Sequence, residues 1–166
     1  MSFYGTTAGA DTYHSDRGNS AWAESSVTTA QKEEALLRAS EYIDYQFRSD
    51  FPGYPTDLRG QTREWPRAWA YDIYFSDIPN TEVPVEVLNA TYEAALRELS
   101  SPGSLLPDFT PNQQAKREKV GPIEVEYTGP VGPESAKPIL TIVRGILQPI
   151  LTGPASASSV GKAVRA

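Results

Sequence analysis

The sequence has no cysteine and only one histidine among its 166 residues. Without cysteine the chain forms no disulfide and no thiolate metal site, and His14 has no second histidine at metal-ligand spacing. No apolar run approaches ~18 residues, so no membrane span is expected. Residues 1–10 lack the basic start and apolar core of a signal peptide. We therefore expect a protein that binds no metal and no cofactor and does not span a membrane.

Acidic residues are missing after Glu134. Beyond that point the chain has Lys137, Arg144, Lys162 and Arg165, so residues 135–166 have a formal charge of +4 and residues 1–134 of −10. Affinity for nucleic acid normally depends on basic patches that release counterions, and the acidic body argues against it. A basic arm on an acidic body instead favours docking onto an acidic partner or onto copies of the same chain.

Recognisable catalytic motifs are also missing. A packing role at a helix end is favoured for His14 over a ligand or catalytic role. Glu124 and Glu126 fall on one face of a strand, where a solvated surface is favoured over an acid/base pair. Residues 129–133, Gly-Pro-Val-Gly-Pro, lack the lysine and the following helix of a phosphate-binding loop. We therefore expect no enzymatic activity, with a small hydrolytic enzyme as the remote alternative.

Helical periodicity predicts a mainly α fold, a small helical bundle with a long aromatic loop, one short β segment and an extended C-terminal arm. Residues 28–49 form the first strong helix, because Thr28 and Gln31 have capping-box spacing. Pro84 opens a second helix that ends near Ser100. The predicted core between these helices comprises Leu36, Ile43, Phe47, Leu88, Leu99 and Trp22.

Four regions follow from this pattern. Residues 1–10 are small and polar and are expected to be flexible. Residues 11–135 form the body, starting with a short helix over residues 11–17. Residues 136–151 form a C-terminal helix whose apolar stripe is Ile139, Ile142, Val143, Ile146, Leu147 and Ile150. Residues 152–166 form an extended docking tail, too polar to order itself without a partner.

Residues 50–76 form a long loop rich in aromatic residues, namely Phe51, Tyr54, Trp65, Trp69, Tyr71, Tyr74 and Phe75. Packing of this loop against the helices is favoured over contact with a partner. Stacking of unpaired bases beside Arg59, Arg63 and Arg67 is the third interpretation. Five acidic residues of the region oppose it by cancelling the positive field: Asp50, Asp57, Glu64, Asp72 and Asp77. Glu41 and Asp44, three apart, are expected on the solvated face of the first strong helix.

Residues 120–127 alternate in the manner of a half-buried strand. The apolar positions are Val120, Ile123, Val125 and Tyr127. One strand cannot form a sheet alone, so we expect these residues to pair with a strand of an adjacent copy or of another part of the same chain.

Several segments in order resemble one bacteriophage family. They are Tyr13-His14-Ser15-Asp16-Arg17-Gly18-Asn19 with Ala21-Trp22, residues 32–39 running into Tyr42-Ile43-Asp44, Trp65-Pro66-Arg67, Val83-Pro84, Leu105-Leu106-Pro107-Asp108, and residues 118–127, Glu-Lys-Val-Gly-Pro-Ile-Glu-Val-Glu-Tyr. The family resembles the head–tail connector, or adaptor, proteins of tailed phages and is often labelled DnaT-like single-stranded DNA-binding protein. The similarity covers roughly residues 13–151.

The resemblance implies a structural virion protein of the phage neck. It would form a homo-oligomeric ring, a dodecamer, beneath the portal protein and above a downstream neck or tail-completion protein. DNA would pass through the ring's lumen without sequence-specific binding, and assembly would take place in the host cytoplasm. The residues proposed to contact the portal are Val160, Lys162, Val164, Arg165 and Arg144. The alternative function is a single-stranded DNA-binding replication accessory.

Overall fold

The computed structural model describes residues 2–107, 117–120, 123–126 and 140–152, with 117–120 and 123–126 described at the backbone level. Four α-helices lie in these residues: α1 (Thr7–Asp16), α2 (Thr29–Phe47), α3 (Val85–Ser100) and α4 (Thr141–Leu147). The strands are short antiparallel pairs: β1 (Tyr54–Pro55) with β2 (Arg67–Ala68), β3 (Ala70–Tyr71) with β4 (Asp77–Ile78), and β5 (Arg117–Val120) with β6 (Ile123–Glu126). The prediction of a small, mainly α domain is confirmed.

Helix α2 begins at the predicted capping box. The Thr28 hydroxyl oxygen accepts the Gln31 N–H at 3.3 Å, and the Gln31 side-chain oxygen accepts the Thr28 N–H at 2.9 Å. These bonds satisfy two donors that a helix start otherwise leaves without partners. The buried face of α2 contains Leu36, Ile43 and Phe47, as predicted.

Helix α3, which packs against α2, buries most fully the positions beside the two predicted leucines. Its fully buried residues include Val87, Thr91, Ala94 and Ala95, whereas Leu88 and Leu99 lie at the edge of the core and are only partly buried. The prediction that both leucines lie between the helices is therefore wrong. Alanine and threonine side chains fill many of the fully buried positions of α3, and the two leucines beside them pack against the edge of the core. Trp22 is fully buried, as predicted.

The N-terminal segment is packed onto the body. Helix α1 starts at Thr7, with the Thr6 hydroxyl accepting the Gly9 N–H at 3.0 Å. The observed helix is therefore longer than the one expected over residues 11–17. Tyr4 is 2% exposed and donates its hydroxyl to Asp44 on α2. The expected flexibility of residues 1–10 is thus wrong for residues 2–10, because Tyr4 anchors them to the core.

His14 is 1% exposed on α1. One ring nitrogen, Nε2, lies 3.1 Å from the Tyr92 carbonyl, and the other, Nδ1, lies 3.0 Å from the Asn19 amide nitrogen. This arrangement suits a neutral imidazole that donates from Nε2 and accepts at Nδ1. The histidine has the packing role that the sequence favoured.

Helix α4 is shorter than the predicted helix over residues 136–151. It spans Thr141–Leu147 and tightens into a 3₁₀ turn over Gln148–Ile150, because Pro149 lacks the N–H that α-helical bonding needs. Val143, Leu147 and Ile150 are buried and Ile146 is partly buried, but Ile142 is 43% exposed. The helix packs on α3 of its own chain. Ile139 and residues 153–166 of the predicted tail lie outside the described residues.

The single strand predicted over residues 120–127 is instead part of a hairpin. β5 and β6 pair antiparallel, with Val120 opposite Ile123 and only two residues between them. Proline cannot donate to a strand ladder, so Gly121-Pro122 separates two strands rather than interrupting one. Val120 is on β5, Ile123 and Val125 are on β6, and Tyr127 lies outside the described residues. The partner strand comes from the same chain, and pairing with a second copy stays a prediction.

Candidate nucleic-acid interface

The aromatic loop divides into a buried group and an exposed group. Trp65 and Phe51 are 2% and 4% exposed, and their rings meet edge-on with centroids 5.5 Å apart. Trp69, Tyr74 and Phe75 are 70%, 78% and 88% exposed. Packing against the helices was therefore the correct interpretation for the first group and the wrong one for the second.

The exposed group is presented by a hairpin, residues 69–78, which we call the aromatic hairpin. Strands β3 and β4 pair with Ala70 opposite Ile78 and Tyr71 opposite Asp77. Side chains alternate across a strand, and Ala70 is fully buried while Tyr71 is exposed. Tyr71 therefore lies on the outward side of the hairpin, and Trp69, just before the strand, is also exposed.

Asp72 organises the tip of the aromatic hairpin. One of its carboxylate oxygens accepts the N–H groups of both Tyr74 and Ser76 at 2.8 Å. The Phe75 N–H donates to the Asp72 carbonyl at 3.0 Å. This is an aspartate-capped turn, which fixes the tip while its side chains stay in solvent.

The tip is also tied to the C-terminal helix. The Ile73 N–H donates to the Pro149 carbonyl at 2.8 Å, just after α4. Two residues beyond Ile150, Thr152 donates its N–H and its hydroxyl to the Asp50 carbonyl, at 2.8 Å and 2.7 Å. Hydrogen bonds to C-terminal residues therefore hold the aromatic loop at two points, at its first residue, Asp50, and at the tip of the aromatic hairpin.

Three bulky residues of this region have left-handed backbone conformations. Leu58, Trp69 and Phe75 have φ angles of 46°, 57° and 63°, and all three side chains are largely exposed. Such conformations cost of order 1–3 kcal/mol each in non-glycine residues and concentrate at binding sites. The exposed side chains gain little burial in return, so the strain is consistent with a surface shaped for a partner.

A groove of about 530 Å³ opens along the aromatic hairpin. Its lining includes Trp69 and Tyr71 together with Asp77, Ile78 and Asn80. Among the described residues, Trp69, Tyr74 and Phe75 make no ring-to-ring contact, and most of each side chain is exposed to solvent.

Most arginines near the loop are neutralised. The Arg48 Nε lies 2.7 Å from Glu64, an Arg63 nitrogen lies 3.3 Å from Asp44, and the Arg67 Nη1 lies 2.7 Å from Glu64. Arg67 is 4% exposed and also donates to the Pro52 and Gly53 carbonyls at 2.7 Å and 2.8 Å. Arg63 and Arg67, which the base-stacking interpretation placed beside the aromatics, therefore have structural roles.

Glu41 and Asp44 were expected on a solvated helix face; Glu41 is exposed there, but the expectation is wrong for Asp44. Asp44 is 6% exposed and accepts hydrogen bonds from the Tyr4 hydroxyl, the Glu64 N–H at 3.3 Å and Arg63. Burial raises the pKa of the Asp44 carboxyl, although these donors act in the opposite direction. Because Tyr4 also accepts the Trp65 N–H at 3.1 Å, this cluster joins the N-terminus, α2 and the aromatic loop.

The residues proposed to contact a portal are only partly described. Val160, Lys162, Val164 and Arg165 lie outside the described residues. Arg144 is half-exposed on α4, with one nitrogen 3.9 Å from an Asp50 carboxylate oxygen. Its side chain therefore faces the root of the aromatic loop.

In the described ranges, no group of three or more histidine, aspartate or glutamate side chains is placed to hold a metal ion. None of the helices in those ranges is long and apolar enough to cross a membrane.

Comparison with known proteins identifies one family. A family model described as "Putative DnaT-like ssDNA binding protein" matches residues 2–166. No curated protein and no solved structure matches the chain.

This match overturns the head–tail connector interpretation. The matched description is of single-stranded DNA binding, which was the alternative drawn from the sequence. The expectations of a virion neck protein that binds a portal were therefore wrong. Of the expected partners, the family supports an interaction with DNA and gives no support to a portal or a ring.

Proposed function

We propose that this chain, which belongs to the DnaT-like ssDNA-binding family, binds single-stranded DNA by stacking unpaired bases on its aromatic hairpin. The observation that carries the proposal is the exposure of Trp69, Tyr71, Tyr74 and Phe75 within one hydrogen-bonded hairpin. Each base stacked on an aromatic side chain contributes about 1–3 kcal/mol, and every base has a face that can stack. Binding is accordingly tolerant of sequence.

The geometry favours single strands over duplexes. In a duplex each base is already stacked on its neighbours, and extruding it costs a few kcal/mol. An unpaired strand offers base faces without that cost. The groove beside Trp69 and Tyr71 is open, so a strand can enter from the side.

Stacking also accounts for binding by an acidic protein. The chain has a net charge of −6, and Asp77 lies in the groove itself. Aromatic stacking depends on contact and desolvation rather than on a positive field. We expect moderate affinity, and no catalytic step is included in the proposal.

The test is titration of an unlabelled oligothymidylate by calorimetry. Trp69→Ala should weaken binding by about 1–3 kcal/mol, which is roughly 5- to 150-fold in Kd. Tyr45→Ala removes an aromatic side chain of similar exposure from α2 and serves as the matched control, with affinity expected to stay at the wild-type level. Equal losses in the two variants, or no binding by the wild type, would refute the proposal.

A further inference from the structure

Four arginines in or next to the aromatic loop differ in whether a carboxylate pairs with them, and this difference bears on DNA binding. Arg48, Arg63 and Arg67 each lie within 4.0 Å of a carboxylate. Arg59 is exposed and has no ion pair or side-chain hydrogen bond with any described residue. Within the described part of the chain nothing pairs with its guanidinium, whereas carboxylates pair with the other three arginines.

The turn that holds Arg59 follows a residue that is hydrogen-bonded to the rim of the groove. Arg59 is in a 3₁₀ turn, Leu58–Gly60, which follows Thr56. The Thr56 hydroxyl donates to the carbonyl of Asn80, a groove residue, at 3.0 Å. Three residues span at most about 10 Å, so the Arg59 backbone lies within that distance of Thr56.

The turn is also well braced. The Gly60 N–H donates to the Asp57 carbonyl at 2.8 Å, and the Gln61 amide donates to the Pro66 carbonyl at 2.9 Å. A Cβ atom at Gly60 would clash with an Asp57 carboxylate oxygen, so a larger residue would displace that side chain. An arginine on a fixed turn loses less freedom on binding than one on a mobile segment.

We infer that Arg59 binds a backbone phosphate of the strand whose bases stack in the adjacent groove. The inference rests on the proposed function. A guanidinium donates two parallel N–H groups to phosphate oxygens, and this contact does not depend on base sequence. Arg59 would thus supply an electrostatic contact beside a surface that otherwise binds by stacking.

The salt dependence of binding tests this role. Neutralising one phosphate of a single strand contributes about −0.7 to the slope of log K against log salt concentration. Arg59→Gln should therefore make the slope shallower by about 0.7 and weaken binding most at low salt. Arg97→Gln is the matched control, because Arg97 is exposed on α3 and also lacks an ion pair among the described residues. Arg59→Lys should keep the wild-type slope, since it keeps the charge.

Separate outcomes decide the two proposals. If the wild type binds and the Arg59→Gln slope equals that of Arg97→Gln, Arg59 has no phosphate contact and only this inference fails. If Trp69→Ala weakens binding without changing the salt slope, and Arg59→Gln makes the slope shallower, the inference is supported. Base stacking then occurs at Trp69 and the phosphate contact at Arg59. If the wild type does not bind oligothymidylate, both proposals are overturned.

Discussion

His14 shows how a single buried side chain couples the fold to pH. Burial lowers the pKa of the His14 imidazole below its usual 6.5, and the neighbouring Arg17 acts in the same direction, whereas the Tyr92 carbonyl, Glu93 and Asp11 oppose it. The neutral ring also matches its two hydrogen bonds. A charged ring would place a second N–H against the Asn19 amide, which is a donor.

We expect the contribution of His14 to the free energy of unfolding to decrease as the pH falls below 6.5. There the unfolded chain binds a proton at His14 that the folded chain resists, so this contribution is complete above pH 6.5 and is lost at lower pH. Asp44, with its raised pKa, shifts stability the opposite way, so denaturation of the wild type should be compared with His14→Gln. The stability gap between them should shrink from about pH 8 to about pH 5.5. A constant gap would mean that the titration of His14 is not coupled to folding.

At the residue scale, the sequence predicted local features better than distant ones. The Thr28–Gln31 capping box could be predicted because both partners lie within one helical turn. The burial of Asp44 could not, because its partner Tyr4 is 40 residues away and nothing near Asp44 indicates the contact. The exposure of Trp69 could not be predicted from the sequence either, because it depends on the buried Ala70 beside it and on the positive φ angle of Trp69.

Among the elements, the aromatic hairpin depends most on a single side chain. Asp72 accepts two N–H groups from the turn, so its carboxylate fixes the directions of the residues between them. We expect Asp72→Ala to lower affinity for single-stranded DNA several-fold, since each lost hydrogen bond contributes about 0.5–1.5 kcal/mol to the ordered turn. The helices should be unaffected, so far-ultraviolet circular dichroism should not change.

Asp72→Asn is the control for that prediction. Its side-chain oxygen can still accept both N–H groups, while the negative charge is removed. Near wild-type affinity in Asp72→Asn and weaker binding in Asp72→Ala would assign the effect to turn geometry. Equal affinities in both variants would show that the order of the turn does not matter for binding.

Elements with long periodic patterns were predicted well, and elements of two residues were not. Helices α2 and α3 have enough turns for periodicity to show, although the pattern on α3 predicted full burial for two leucines that lie at the edge of the core. Strands β1 to β4 have two residues each, which is too short for alternation to be detected. The candidate site lies on these short strands, and only its aromatic composition was visible in the sequence.

At the scale of the whole molecule, the C-terminal helix links the core to the site. Leu147 of α4 is fully buried, and Pro149, two residues later, accepts the hydrogen bond from Ile73 at the hairpin tip. Leu36 is equally buried on α2. Either leucine replaced by alanine should cost about 2–5 kcal/mol of folding stability, because a cavity remains.

Only one of these two substitutions should change the affinity for single-stranded DNA. Leu147→Ala should weaken binding to oligothymidylate in conditions where both variants are fully folded, because α4 then holds the hairpin tip less firmly. Leu36→Ala should bind as the wild type does under the same conditions. Equal affinities in the two folded variants would show that the hairpin does not depend on α4.

The placement of the three tryptophans gives the molecule an intrinsic optical reporter. Trp22 and Trp65 are 1% and 2% exposed, and Trp69 is 70% exposed in the groove. A water-soluble quencher such as iodide therefore reaches one indole of the three, and the red edge of the emission spectrum comes mainly from that indole. A base stacked on Trp69 shields it and changes its emission while the two buried indoles stay constant. Occupancy of the groove can thus be followed on the unmodified protein.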